Sequence, residues 1–99
     1  MQLHLSVGVS AGVPVVEVRG EVDPLAADDL YEFVVTVIRQ RGARLGMDLA
    51  GVTFMDPAGV AAMRRARRYA RARGGDLDIV AGPDGAAALS SPPPMASIG

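Results

Sequence analysis

The chain has 99 residues, 49% of them hydrophobic, and a formal net charge of −1. That length suits one marginally stable domain with no room for a second core, and near neutrality gives the whole molecule no long-range pull toward nucleic acid or anionic lipid. With no cysteine there are no disulfides, thiolate metal sites or thiol chemistry; no apolar run reaches the ~20 residues of a membrane span, and Met1-Gln2-Leu3-His4 lacks the blocks of a signal peptide, so a cytoplasmic location is expected.

Leu3, Leu5, Val7 and Val9 alternate with His4, Ser6 and Gly8, the period of a half-buried strand. Ser10-Ala11-Gly12 is turn chemistry and Val15–Arg19 reads as a second strand, which predicts a hairpin ending at Gly20. Asp23-Pro24 then opens a helix, because Asp is a favoured N-cap and Pro fits the first helical position. Leu30, Phe33, Val34, Val37 and Ile38 form its apolar stripe. Acids in the early turns and Arg39 and Arg41 in the last complement the helix dipole.

Leu45–Leu49 reads as a third strand, followed by a separate segment, Gly51–Met55. Asp56-Pro57 repeats the helix opening, with Val60, Met63, Ala66, Ala70 and part of Tyr69 facing inward and Gly74-Gly75 as the stop. Asp76–Val80 is a fourth strand, with Asp76 and Asp78 expected on its solvent face. Gly82 to Leu89 has room for a turn or two of helix before Ser90-Ser91-Pro92-Pro93-Pro94 halts regular structure. The order ββαβαβ predicts an α/β fold: a mixed sheet of four or five strands with helices packed against it. Residues 1–90 form the expected single domain, and 91–99 a flexible Pro-rich tail.

Enzyme templates fail. The lone histidine, His4, reads as a surface residue; no nucleophilic triad can be assembled and no phosphate-cradling glycine loop is present. Asp76 and Asp78 lack further ligands for a metal. No cofactor or metal is expected.

Two features invite a functional reading. The repeated Asp-Pro places Asp23 and Asp56 after consecutive strands, and partners of alternating α/β sheets meet the loops at the carboxyl ends of strands. The plain alternative is that each Asp caps its own helix. The second feature is an arginine run. All ten basic residues are arginine, and Arg64, Arg65, Arg67, Arg68, Arg71 and Arg73 crowd into ten residues with no acid between them. Steps of ~100° set Arg64, Arg67, Arg68 and Arg71 on one outer stripe, where nothing in the helix compensates them. They are a solvated face, a surface for an acidic protein, or, with Tyr69 as the one accompanying aromatic, a poor surface for nucleic acid.

Three segments taken together resemble the STAS family, the anti-sigma-factor antagonists and their relatives. They are Gly20-Glu21-Val22-Asp23, the run from Met47-Asp48-Leu49-Ala50-Gly51-Val52 through Thr53-Phe54-Met55-Asp56-Pro57-Ala58-Gly59-Val60, and Arg71-Ala72-Arg73-Gly74-Gly75. The family pattern is a G-x-hydrophobic-D step, then D-L-S-G-V-x-F-hydrophobic-D-S-S-G-L, then a helix ending in Gly-Gly. Order and spacing agree over about residues 5 to 81.

The resemblance implies a bacterial regulator that works by partner switching and is not an enzyme. Its expected partner is an anti-sigma factor, usually a serine kinase, bound through Asp23, Asp56, Pro57, Ala58, Gly59 and Val60. Phosphorylation of a serine in the D-S-S-G loop normally dissolves such a complex, by adding about −1.5 to −2 charge at a helix N-terminus beside carboxylates. In this chain Ala58 stands where that serine stands, so the loop has no phosphoacceptor.

A rival expectation is a structural subunit of a stressosome-type complex or a lipid-transporter accessory subunit, using the Arg64, Arg67, Arg68 and Arg71 face. The last layer of the fold is expected to be shortened, leaving apolar sheet surface that a homodimer would cover.

Overall fold

The computed structural model describes residues 3–82, in the order β1 (Leu3–Ser10), β2 (Val13–Val22), α1 (Pro24–Arg41), β3 (Arg44–Met55), α2 (Pro57–Ala72) and β4 (Asp76–Ala81). The four strands form one sheet in the order β1-β2-β3-β4. β1 and β2 are an antiparallel hairpin turned at Ala11 and Gly12, and β2–β3 and β3–β4 pair in parallel. The α/β class and the mixed sheet agree with the sequence reading. Beyond Gly82, the helical turns expected from Gly82 to Leu89, the tail and the shortened last layer fall in residues outside those described.

The alternation along the strands sets the core. Val16, Val18 and Val22 of β2, Leu45, Met47 and Leu49 of β3 and Leu77 of β4 project to one side, where both helices pack. From α1 they meet Leu30, Val34, Val37 and Ile38, at i, i+4, i+7 and i+8; from α2 come Met63, Ala66 and Ala70. Leu30, Met47 and Val18 are among the side chains with no measurable exposure. Truncating such a residue to Ala costs about 2–5 kcal/mol, a large part of a small domain's stability.

The structure joins what the sequence reading divided. Leu45–Leu49 and Gly51–Met55 are one twelve-residue strand, β3. It stays paired with β2 because it takes up two irregularities: Glu17 faces Asp48 but Arg19 faces Gly51, and Gly20 faces Val52 but Glu21 faces Phe54. Each step inserts one extra residue in β3, as a β-bulge does. Asp48 supports the first, its Oδ1 accepting from the Ala50 N–H at 3.0 Å. Thr53 supports the second, donating its hydroxyl to the Gly20 carbonyl at 3.2 Å. The inward-facing positions therefore run Leu45, Met47, Leu49 and then Val52, out of simple alternation.

The far end of α2 is anchored by close backbone approach. The Asp76 N–H donates to the Ala43 carbonyl at 3.0 Å, and the Gly75 N–H to the Ala70 carbonyl at 3.0 Å. A β-carbon at Gly75 would overlap the Ala43 carbonyl group, so only glycine fits there.

Candidate functional site

Both Asp-Pro steps are helix starts of one design. Asp23 is the N-cap of α1, with Oδ1 accepting from the Ala26 N–H at 2.8 Å, and Pro24 occupies the first helical position. Asp56 is the N-cap of α2, with Oδ2 accepting from the Ala58 N–H at 2.8 Å, and Pro57 follows. Each carboxylate satisfies a donor that the helix leaves open.

The sheet brings the two starts together. β2 and β3 run parallel and end in register, Val22 facing Met55, and the Asp56 N–H donates to the Val22 carbonyl at 2.8 Å. Gly59 completes the junction. A β-carbon there would lie 2.7 Å from Val22 Cγ1 and 2.9 Å from Met55 Cγ, so the first turn of α2 sits closer to the strand ends than any side chain allows. Asp23 and Asp56 thus share the carboxyl edge of neighbouring parallel strands, as their positions in the sequence suggest.

At this edge Pro57 is exposed, Asp23, Asp56, Ala58 and Val60 are half-buried and Gly59 is buried. The structure adds two apolar side chains the sequence reading did not single out: Leu25, 85% exposed, and Phe54, 51% exposed. Exposure of two large apolar side chains beside the capping loops makes the edge suited to protein contact. The Leu25 signal was available, since it precedes the apolar stripe of its helix; Phe54 faces out because of the bulge at Thr53.

The arginine run corrects the sequence reading. Its charge is in part compensated, from another element. Arg67 Nε lies 2.9 Å and Arg71 Nε 3.2 Å from Asp76 Oδ1 at the start of β4. Asp76 is half-buried rather than on an open strand face, whereas Asp78 is exposed. The Arg67 hydrogen bond, with help from the Leu77 N–H and Arg71, holds the Asp76 carboxyl well below the usual carboxylate range, against the opposing effect of burial.

The Arg65 guanidinium stacks over the Tyr31 ring at 4.2 Å, and that of Arg73 over Tyr69 at 4.7 Å. Arg39 Nε donates to the Tyr69 hydroxyl at 3.1 Å, and Arg39 and Arg73 together lower the Tyr69 pKa. Arg64 and Arg68 remain on the outer surface, both exposed. His4 is exposed on β1.

Among the described residues, no cluster of three or more His, Asp or Glu side chains is arranged to hold a metal ion, and no helix is long and apolar enough to cross a membrane.

Comparison with known proteins places this geometry. Among curated proteins, none matches the sequence. A solved anti-sigma factor antagonist from Mycobacterium paratuberculosis is 26% identical and superposes with a TM-score of 0.70, over 81% of this chain and 68% of that one. The anti-sigma factor antagonist SpoIIAA in its unphosphorylated form shares the fold at 23% identity and a TM-score of 0.62, over 79% and 71% of the two chains. The STAS domain of an anti-sigma-factor antagonist from Rhodobacter sphaeroides shares it at 19% identity and a TM-score of 0.64, over 91% and 92%. The family described as "Mlab, STAS domain" matches residues 5–91, nearly the whole chain, and this protein belongs to the STAS domain family.

Proposed function

We propose that this protein is a non-enzymatic binding module of the anti-sigma-factor-antagonist type. It engages an anti-sigma factor or related serine kinase through the edge formed by Asp23, Asp56, Pro57, Ala58, Gly59 and Val60, and thereby controls transcription in the bacterial cytoplasm. The observation that carries this reading is the Val22–Asp56 hydrogen bond of 2.8 Å, which sets two Asp-capped helix starts side by side next to exposed Leu25 and Phe54. The 26% identity to an antagonist of known structure supports it.

Ala58 gives the reading its particular form. A phosphoryl group needs an oxygen nucleophile, and the alanine methyl supplies none. The Ala58 N–H already satisfies the Asp56 carboxylate, so the loop is held by its own cap. A kinase partner therefore has no acceptor at this position, and the complex persists in the presence of ATP.

The test is capture from the native lysate with this protein and with Ala58→Ser, each with and without ATP, followed by mass spectrometry. A serine kinase recovered with both, and released by ATP from the Ser variant alone, is the expected result. Recovery of no such kinase with either protein overturns the reading. The lack of a phosphoacceptor also favours a second reading: a permanent subunit of a stressosome-type or transporter complex, which needs no switch. Recovery of stoichiometric complex components, indifferent to ATP with both proteins, would establish that alternative.

A further inference from the structure

We infer that the outer face of α2 is a docking surface for an acidic, amphipathic segment of the partner protein, held by Arg64 and Arg68 beside a shallow apolar groove. This rests on the reading that the adjacent edge binds a protein, and it names the chemistry of what is bound.

Three observations converge. A groove of about 490 Å³ begins at the signature loop and is lined by Met55, Pro57, Val60 and Ala61, with Arg64, Arg65 and Arg68 at its far end. Its apolar stretch and its cationic stretch therefore follow each other along one helix. A ligand filling it needs an apolar residue first and carboxylates one turn on.

The second observation is how the arginines are shared out. Arg67 and Arg71 are engaged by Asp76, Arg65 by the Tyr31 ring and Arg73 by the Tyr69 ring. Arg64 and Arg68 have no ion pair among the described residues, and α2 carries no acid of its own. They stand at i and i+4, where like charges repel across one helical turn. Carboxylates arriving between them relieve that repulsion and gain charge-assisted hydrogen bonds.

The third observation selects protein over nucleic acid. No aromatic side chain lines the groove, so it offers no platform for stacking bases. Its near half, lined by Met55, Pro57, Val60 and Ala61, is apolar and gives a phosphate backbone nothing to pair with. A short cationic ridge with an apolar neighbour suits a helix bearing Asp or Glu on one flank and Leu on the other.

The test uses the full chain and a synthetic amphipathic peptide with Leu on one face and Glu pairs at i,i+4 beside it. A Lys-for-Glu counterpart and single-stranded oligo-dT serve as comparisons, and binding is read by fluorescence anisotropy at low and high salt. The Glu peptide is expected to bind, with amide shifts at Val60, Ala61, Arg64 and Arg68. Arg64→Glu/Arg68→Glu should weaken it by about tenfold or more and allow the Lys peptide to bind instead. Arg64→Ala/Arg68→Ala, with unchanged melting, controls for folding.

Failure of the Glu peptide to bind, or binding unaffected by charge reversal, overturns the inference; preferential binding of oligo-dT overturns it in favour of nucleic acid. The captured partner separates this idea from the one beneath it. Retention by the charge-reversed protein with loss by Asp56→Lys upholds the capping-loop edge and sinks the ridge. The opposite pattern upholds the ridge and sinks the edge.

Discussion

Arg67 on α2 and Asp76 at the start of β4 form an ion pair, with Nε 2.9 Å from Oδ1, that ties the helix to the edge strand. Arg71 adds a second donor at 3.2 Å and the Leu77 N–H a third at 2.8 Å. The carboxylate is thus the common acceptor for two arginines of the run and a strand amide. With side-chain exposures of 24% and 28%, the Arg67–Asp76 pair is partly shielded from solvent and worth more than an open surface pair.

Replacing Asp76 with Asn removes the charge and keeps the shape. The expected loss is about 1–2 kcal/mol, which for a domain of this size lowers Tm by several degrees. Thermal melts followed by circular dichroism measure it directly. An unchanged Tm would mean that the pair contributes no net stability.

The same pair sets an acid limit. Because the folded-state pKa of Asp76 is lowered, its contribution is complete above the unfolded carboxylate value, near pH 4, and is lost as pH falls further toward the folded value. Urea unfolding of the wild type should therefore show stability falling below about pH 4. Asp76→Asn should flatten that part of the profile, and equal slopes in the two proteins would contradict the assignment.

Gly59 offers a test of the junction between the two helix starts. An alanine there must push aside Val22 and Met55, whose atoms lie 2.7 and 2.9 Å from the added carbon. Overpacking of this kind costs about 1–3 kcal/mol, which outweighs the gain of up to about 1 kcal/mol from replacing glycine in a helix. Gly59→Ala should be destabilised and show amide shifts at Val22, Asp23 and Asp56. Stability equal to wild type would show that the junction has slack.

Capping and partner contact at Asp56 can be separated by two substitutions. Asp56→Ala loses the bond to the Ala58 N–H and should cost about 1 kcal/mol of stability. Asp56→Asn keeps an oxygen acceptor and should leave Tm nearly unchanged while removing the charge. Weakened partner binding in Asp56→Asn would locate the carboxylate in the interface; intact binding would confine it to capping.

Tyr69 reports the cationic neighbourhood at the far end of α2. Its hydroxyl accepts from Arg39, and with Arg73 nearby it ionises below the ordinary phenol value. In a spectrophotometric titration, Arg39→Gln should move a phenol transition to higher pH. No movement would place Tyr69 outside the influence of Arg39.

What the sequence determined by itself is whatever depends on neighbours along the chain. Asp23-Pro24 and Asp56-Pro57 were legible as helix starts because a cap is made by residues two or three positions apart. The stripe from Leu30 to Ile38 and the alternation from Leu3 to Val9 follow from the repeat of each element against a core. The order of elements then gave the mixed sheet, and the long signature around Asp56 gave the family.

The tertiary structure alone decided what depends on partners far apart in sequence. The bulges of β3 need the β2 register across them, so the outward turn of Phe54 was not visible in a run that looked like two segments. The Val22–Asp56 bond needs the two strand ends aligned. The arginine run looked uncompensated because a helix-local count cannot see Asp76, which β4 delivers only after the chain has turned at Gly74 and Gly75. Charge pairing across elements is set by the packed fold, and that packing is what leaves Arg64 and Arg68 facing outward.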